Sequence, residues 1–158
     1  MGDNAGMTEQ TCATPSSMRP RIALYSHDTM GLGHIRRNTL IAQTLIQPPL
    51  SAQVLLVSGI RESGAFALPP GIDSITLPAY RKRPDGNYTA RALDMPLEQL
   101  VALRSQTILA ALTAFAPQLL IVDNVPRGAL AELDTVLPTM QARGTHIVLG
   151  LRDIIDTP

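Results

Sequence analysis

Apolar runs alternating with helical patterns predict an α/β fold, a Rossmann-like doubly wound parallel sheet of about five strands in a single domain. Three observations carry this. The short apolar run at 22–25 reads as a buried strand, 53–57 (QVLLV) as a second strand, and the uninterrupted apolar run at 119–122 (LLIV) as a strand covered on both faces. The stretches between them place apolar residues at helical spacing. The first run breaks into Ser26-His27-Asp28-Thr29 and then Gly31-Leu32-Gly33-His34 before a helical pattern begins. Strand, glycine turn and helix is how a ligand site forms at the carboxyl edge of a parallel sheet.

Residues 1–20 are rich in Thr, Ser, Gly and Asn without apolar periodicity and read as a disordered leader, leaving 21–158 as the domain. The first strand covers 21–26. A helix follows over 35–47, with Leu40, Ile41 and Leu45 expected to face the sheet and Pro48-Pro49 as its stop. The second strand is 53–57, ended by Ser58-Gly59. Residues 61–66 read as a helical turn and 74–77 as a short third strand. Residues 78–91 read as a long polar loop, basic through Arg81, Lys82, Arg83 and Arg91, with Pro84-Asp85-Gly86 as a turn. Pro96 suits the first turn of a helix reaching 114, with Leu100, Leu103, Ile108, Leu109 and Leu112 as its stripe. The strand at 119–122 ends in Asp123-Asn124. A helix over 127–142 stops at Gly144, and 145–151 is the last strand.

Composition narrows the function. The 13 basic and 13 acidic residues cancel, so no global field draws the chain to nucleic acid or an anionic membrane. Zero Trp and 3 % aromatic residues disfavour a base-stacking platform. Cys12 is the single cysteine, which rules out an intrachain disulfide and a cysteine metal cluster and fits a reducing cytoplasm. No apolar run approaches the roughly 20 residues that span a bilayer.

The glycine loop is the candidate site. A P-loop would need Lys-Ser or Lys-Thr after its second glycine, and neither follows. A dinucleotide loop would need a third glycine where Arg36 stands and an acid at the tip of the second strand, where Ser58-Gly59 stands. His27, Asp28 and His34 lack the paired spacing of metal ligands, so no metal is expected.

Ser26-His27-Asp28-Thr29-Met30-Gly31-Leu32-Gly33-His34-Ile35-Arg36-Arg37 resembles the predicted glycosyltransferases related to the lipid II-forming GlcNAc transferase, which are family 28-like and of the GT-B fold. The segments 77–88, Asp123-Asn124-Val125-Pro126-Arg127-Gly128 and Leu151-Arg152-Asp153 also look like that group. The resemblance covers 21–158 and implies the amino-terminal, acceptor-side half of such an enzyme. It implies transfer of a hexosyl group of the GlcNAc type from a UDP-linked nucleotide sugar to a hydroxyl acceptor, with no other cofactor. The positions matching the family's histidine and acid are His34 and Asp123. A histidine titrates near working pH and can take the acceptor's proton, while a carboxylate on its other nitrogen fixes the tautomer. The candidate acceptor- or phosphate-binding set is Ser26, His27, Gly31, Gly33, Arg36, Arg37, Asn124 and Arg127. Arg36 and Arg37 point about 100° apart on a helix, so at most one faces the cleft.

Relative to that family, the domain that holds the nucleotide sugar is missing, so a donor-binding domain or subunit is the expected partner. The acceptor would be lipid- or phosphate-linked and met at the inner face of the membrane. Other readings stay open at this point. The chain could be a non-catalytic nucleotide- or metabolite-binding module, or an inactive fragment. His34 could be an ordinary helix-start residue, and Asp123 could cap the helix expected from Arg127.

Overall fold

The computed structural model describes residues 19–27, 32–60 and 67–151. The leader through residue 18, Asp28, Gly31, the expected helical turn at 61–66 and the Arg152-Asp153 pair lie outside the described residues.

The core is a five-stranded parallel sheet flanked by helices. β1 (Arg21–Ser26) is followed by α1 (Gly33–Leu45), β2 (Gln53–Ser58) and β3 (Ile72–Thr76). A small hairpin, β4 (Tyr80–Lys82) and β5 (Tyr88–Ala90), precedes α2 (Leu97–Phe115), β6 (Leu119–Asp123), α3 (Val136–Ala142) and β7 (His146–Gly150). Strand order is β3-β2-β1-β6-β7, with all neighbours parallel. The chain steps outward from β1 to β3, then returns to the far side of β1 as β6. The order therefore reverses between β1 and β6, the switch point at which open α/β sheets bind ligands.

The two faces carry separate cores. Ala23, Tyr25, Val57, Leu120 and Val122 pack under α2 and α3 with Ile108, Leu112, Val136 and Met140. Ile22, Leu24, Val54 and Leu56 pack under α1 with Ile35 and Ala42. Full burial of an aliphatic side chain contributes about 1.5–3 kcal/mol. These alternating residues on both faces are what hold the central strands together.

Several sequence expectations are corrected. α1 buries Ile35, Asn38, Thr39 and Ala42, while Leu40 is 65 % exposed. Leu40 lies about 140° around the helix from Ile35, and only Ile41 and Leu45 flank the buried stripe. On α2 the buried line is Leu100, Arg104, Ile108 and Leu112, and Leu103 falls outside it. The third strand lies two residues earlier than expected at its start, because Ile72 and Asp73 pair with Val54 and Leu55. Residues 78–91 are not an open loop. Tyr80, Arg81 and Lys82 pair antiparallel with Ala90, Thr89 and Tyr88 around the Pro84-Asp85-Gly86 turn. Three residues per strand are too few to show period-two patterning, and buried Tyr80 is the anchor.

The largest correction concerns 127–142. Only Val136–Ala142 is α-helical. Gly128 and Ala131 adopt φ of 76° and 59°, which no helix tolerates. Pro138 explains the start site. In a helix from 127 its ring would clash with the carbonyl four residues earlier, whereas third in α3 it needs no amide partner. Asp123 consequently has no helix at 127 to cap.

Candidate active site at the switch point

β1 delivers Ser26 and His27 to the carboxyl edge, and α1 opens above them. Ser26 is buried, and its carbonyl accepts the Gly59 amide at 3.2 Å. Gly33 begins α1 with open space where a Cβ would stand. Among the described residues no side chain caps this helix, and no acid lies in its first turn.

His34 sits in that first turn. Its Nδ1 lies 2.6 Å from Oδ2 of Asp123, the last residue of β6. The side chains are 14 % and 3 % exposed, so the pair is sheltered but reachable from the histidine side. Arg37 stands three residues on from His34 and pairs with the other carboxylate oxygen, Oδ1. Asp123 is thus a buried anion held between an imidazole and a guanidinium, the pairing a buried charge requires. The geometry follows from register. Leu119, Ile121 and Asp123 alternate onto the α1 side of β6, while Leu120 and Val122 face α2 and α3.

The remaining candidates are distributed unevenly. The His27 ring lies 5.1 Å from the His34 ring, tilted by 52°. Arg36 is exposed and turned away from Asp123, so one of the two adjacent arginines faces inward, as helical geometry requires. Asn124 adopts a left-handed φ of 62°, and its amide donates to the Gly150 carbonyl at 2.8 Å. Arg127 is exposed and pairs with Asp134, through Nε at 2.8 Å. That partner holds both its pKa and that of Asp134 in the charged direction. Gly31 lies outside the described residues.

A second polar cluster went unread in the sequence. Glu132, buried between β6 and α3, accepts from Arg104 Nε at 2.5 Å, Arg104 Nη2 at 2.7 Å, Tyr80 Oη at 2.7 Å and the Tyr25 hydroxyl. Arg104 also donates to the Pro78 carbonyl at 2.6 Å and stacks on the Tyr80 ring at 4.2 Å. Burial raises the Glu132 carboxyl, but Arg104 and the two phenols outweigh it and hold the group below its ordinary value. Burial, aided by the Glu132 charge, pushes both phenols well above their usual range, so they remain donors. The available signal was Arg104 itself, four residues from both Leu100 and Ile108 on the buried line.

This cluster ties the hairpin, α2 and the segment after Asp123 to β1. Two glycines accommodate it. A Cβ on Gly128 would lie 2.8 Å from Tyr25 Oη and from Glu132 Cγ. A Cβ on Gly59 would overlap the His27 carbonyl at 2.0 Å, with Arg104 Nη1 at 3.1 Å. The β2 turn is therefore pressed against the backbone of His27, next to the imidazole pair.

Among the described residues no helix is long and apolar enough to cross a membrane. No protein-family model matches the chain, and neither does any curated protein.

Proposed function

We propose that this chain is the acceptor-side half of a GT-B glycosyltransferase, family 28-like, with His34 as the general base. The observation that carries the reading is the His34 Nδ1 to Asp123 Oδ2 contact of 2.6 Å at the switch point. A carboxylate on Nδ1 assigns the proton-accepting role to Nε2. As the acceptor oxygen attacks the anomeric carbon, its proton passes to Nε2 and the nucleoside diphosphate leaves from the opposite face, inverting that centre. Asp123 stabilises the imidazolium so formed, and Arg37 holds the carboxylate in place. The open space beside Gly33 at the start of α1 suits a phosphate or a sugar hydroxyl near the backbone. A UDP-linked hexose of the GlcNAc type is the donor, held mainly by a further domain or subunit that forms the other wall.

A second reading has an observation of its own. The Arg37–Asp123 ion pair also suits a purely structural lock at the switch point, as in a non-catalytic binding module.

The test is transfer of labelled sugar from UDP-hexoses by the native assembly captured through this chain. Transfer that falls by a factor of about 100 or more in His34→Ala, with unchanged melting, supports the base assignment. Full transfer by the variant sinks it, and a variant that melts early with no transfer in either protein favours the lock.

A further inference from the structure

We infer that the free edge of β7 is a self-association surface, at which a second copy of this chain adds its own β7 antiparallel and the two sheets become one. β7 ends the sheet and pairs only with β6. Its register fixes which backbone groups the open edge presents. The His146 amide donates to the Gln118 carbonyl at 2.9 Å, and the Gly150 carbonyl accepts from the Asn124 amide at 2.8 Å. In a parallel strand both backbone groups of one residue point the same way, and those of its neighbours point oppositely. His146, Val148 and Gly150 therefore bond inward to β6. The amides and carbonyls of Ile147 and Leu149 point outward, and among the described residues nothing pairs with them.

Self-complementarity selects a second copy as the occupant. A two-fold axis at Val148 sets Ile147 opposite Leu149 of the second copy, and Leu149 opposite its Ile147. Each of these pairs exchanges two N–H···O=C bonds, so every outward group of Ile147 and Leu149 in both copies is satisfied. Val148 meets Val148 on the axis as a non-hydrogen-bonded pair, with Cα atoms about 4.5 Å apart. His146 falls opposite Gly150, so no like charges face each other. A slip of one residue would set Ile147 against Val148, whose own groups are turned toward β6. The side chains suit the same arrangement. Val148, Leu149 and Leu151 are 47 %, 37 % and 76 % exposed. The run Thr145-His146-Ile147-Val148-Leu149-Gly150-Leu151 holds no Lys, Pro or acid of the kind that guards an edge strand.

There is room for the incoming strand. A cavity of about 500 Å³ runs beside β7 on its α3 side, lined by Leu137, Gln141, Gly144, Thr145, His146 and Ile147. Leu149 of the second copy, opposite Ile147, lies over that cavity. The interface is small. A five-residue strand offers roughly 17 Å of edge, which places the contact below about 1,200 Å² in total, the class of weak association. A dimer of micromolar affinity is the expectation. The two β7 strands run oppositely, so the carboxyl edges with their His34–Asp123 sites lie at opposite ends of the joined sheet. Association leaves both sites open and does not depend on glycosyl transfer.

Sedimentation equilibrium of the whole chain from about 1 to 300 µM tests it, with a monomer–dimer equilibrium of Kd about 10–100 µM expected. Val148→Lys sets two like charges face to face on the axis and should weaken the dimer at least tenfold at an unchanged melting temperature. Disulfide trapping reads the register and does not rely on that variant. In a Cys12→Ser background, Val148→Cys should form a disulfide-linked dimer on mild oxidation, because its Cα separation on the axis is one that a disulfide spans. His146→Cys should cross-link at least tenfold more slowly, since the two copies of that position lie roughly 14 Å apart. A chain that stays monomeric at 300 µM would overturn the proposal. So would a monomer whose Ile147 and Leu149 amides resist hydrogen exchange, which would mean another segment covers the edge. Equal cross-linking at the two positions, or a Val148→Lys dimer as tight as wild type, would overturn it as well. Loss of sugar transfer in His34→Ala leaves it untouched, so the two readings fail separately.

Discussion

Replacing Glu132 by Gln should be among the most destabilising changes this chain can undergo. The carboxylate accepts four hydrogen bonds, two from Arg104 and one each from Tyr25 and Tyr80. It is fully buried, as is Arg104. An amide has one acceptor oxygen and brings two N–H donors into a site that already holds four donor groups. The guanidinium is then left buried without its counter-charge, which costs about 3–5 kcal/mol. That is a large part of the roughly 5–15 kcal/mol that holds a domain together. At about 2–4 °C per kcal/mol for a domain of this size, the melting temperature should fall by roughly 6–20 °C. The assay is urea unfolding at pH 7 followed by circular dichroism, then repeated at lower pH. The folded-state pKa of Glu132 lies below its ordinary value of 4.5. Its stabilisation is therefore complete above that value and is lost as pH falls below it towards the folded-state pKa. The gap between wild type and variant should be constant from neutrality to about pH 5 and narrow in more acid solution. A double change, Glu132→Leu with Arg104→Met, should recover much of the loss, since no buried charge is stranded. A Glu132→Gln protein within 1 kcal/mol of wild type at neutral pH would refute the reasoning about a stranded charge.

Other outcomes follow from the same geometry. Gly128→Ala should destabilise by at least about 1 kcal/mol, because φ is 76° and its Cβ would press on Tyr25 and Glu132; chemical denaturation reads it. Gly59→Ala should displace His27, whose carbonyl occupies the Cβ position, and imidazole proton resonances of both His27 and His34 should move while the fold persists. Asp123→Asn should cut sugar transfer by a factor of about 100 or more in the transfer assay, because His34 loses the anion on Nδ1. Arg127→Ala should leave the melting curve unchanged, since its ion pair with Asp134 lies in solvent.

The apolar runs at 22–25, 54–57 and 119–122 were legible because parallel strands covered on both faces are apolar along nearly all of their length. Helical spacing placed the start of α1 at 35, within two residues of Gly33, where it begins. The edges were less legible. Leu103 and Leu40 fit helical spacing in sequence yet face solvent, because periodicity gives a stripe without saying which side of a helix the sheet will take. The hairpin and the broken 127–135 segment depend on contacts distant in sequence. Tyr80 reaches Glu132, and left-handed Gly128 makes room for Tyr25.

The candidate site divides along the same line. Asp123 was visible as a polar residue at the end of an apolar run and His34 as the residue after Gly31-Leu32-Gly33 at a helix start, both local properties of the chain. Their 2.6 Å contact, and the choice of Arg37 over Arg36 as the inward arginine, arise because β6 pairs with β1 across the reversal in strand order. The Arg104–Glu132 cluster was invisible for a related reason. A charge on an apolar stripe is explained only by the partner that the fold buries beside it, and here that partner lies 28 residues away. Local chemistry and periodicity reside in the chain itself. Which polar groups meet is decided by the register and order of the strands, which bring together residues that no short-range pattern connects.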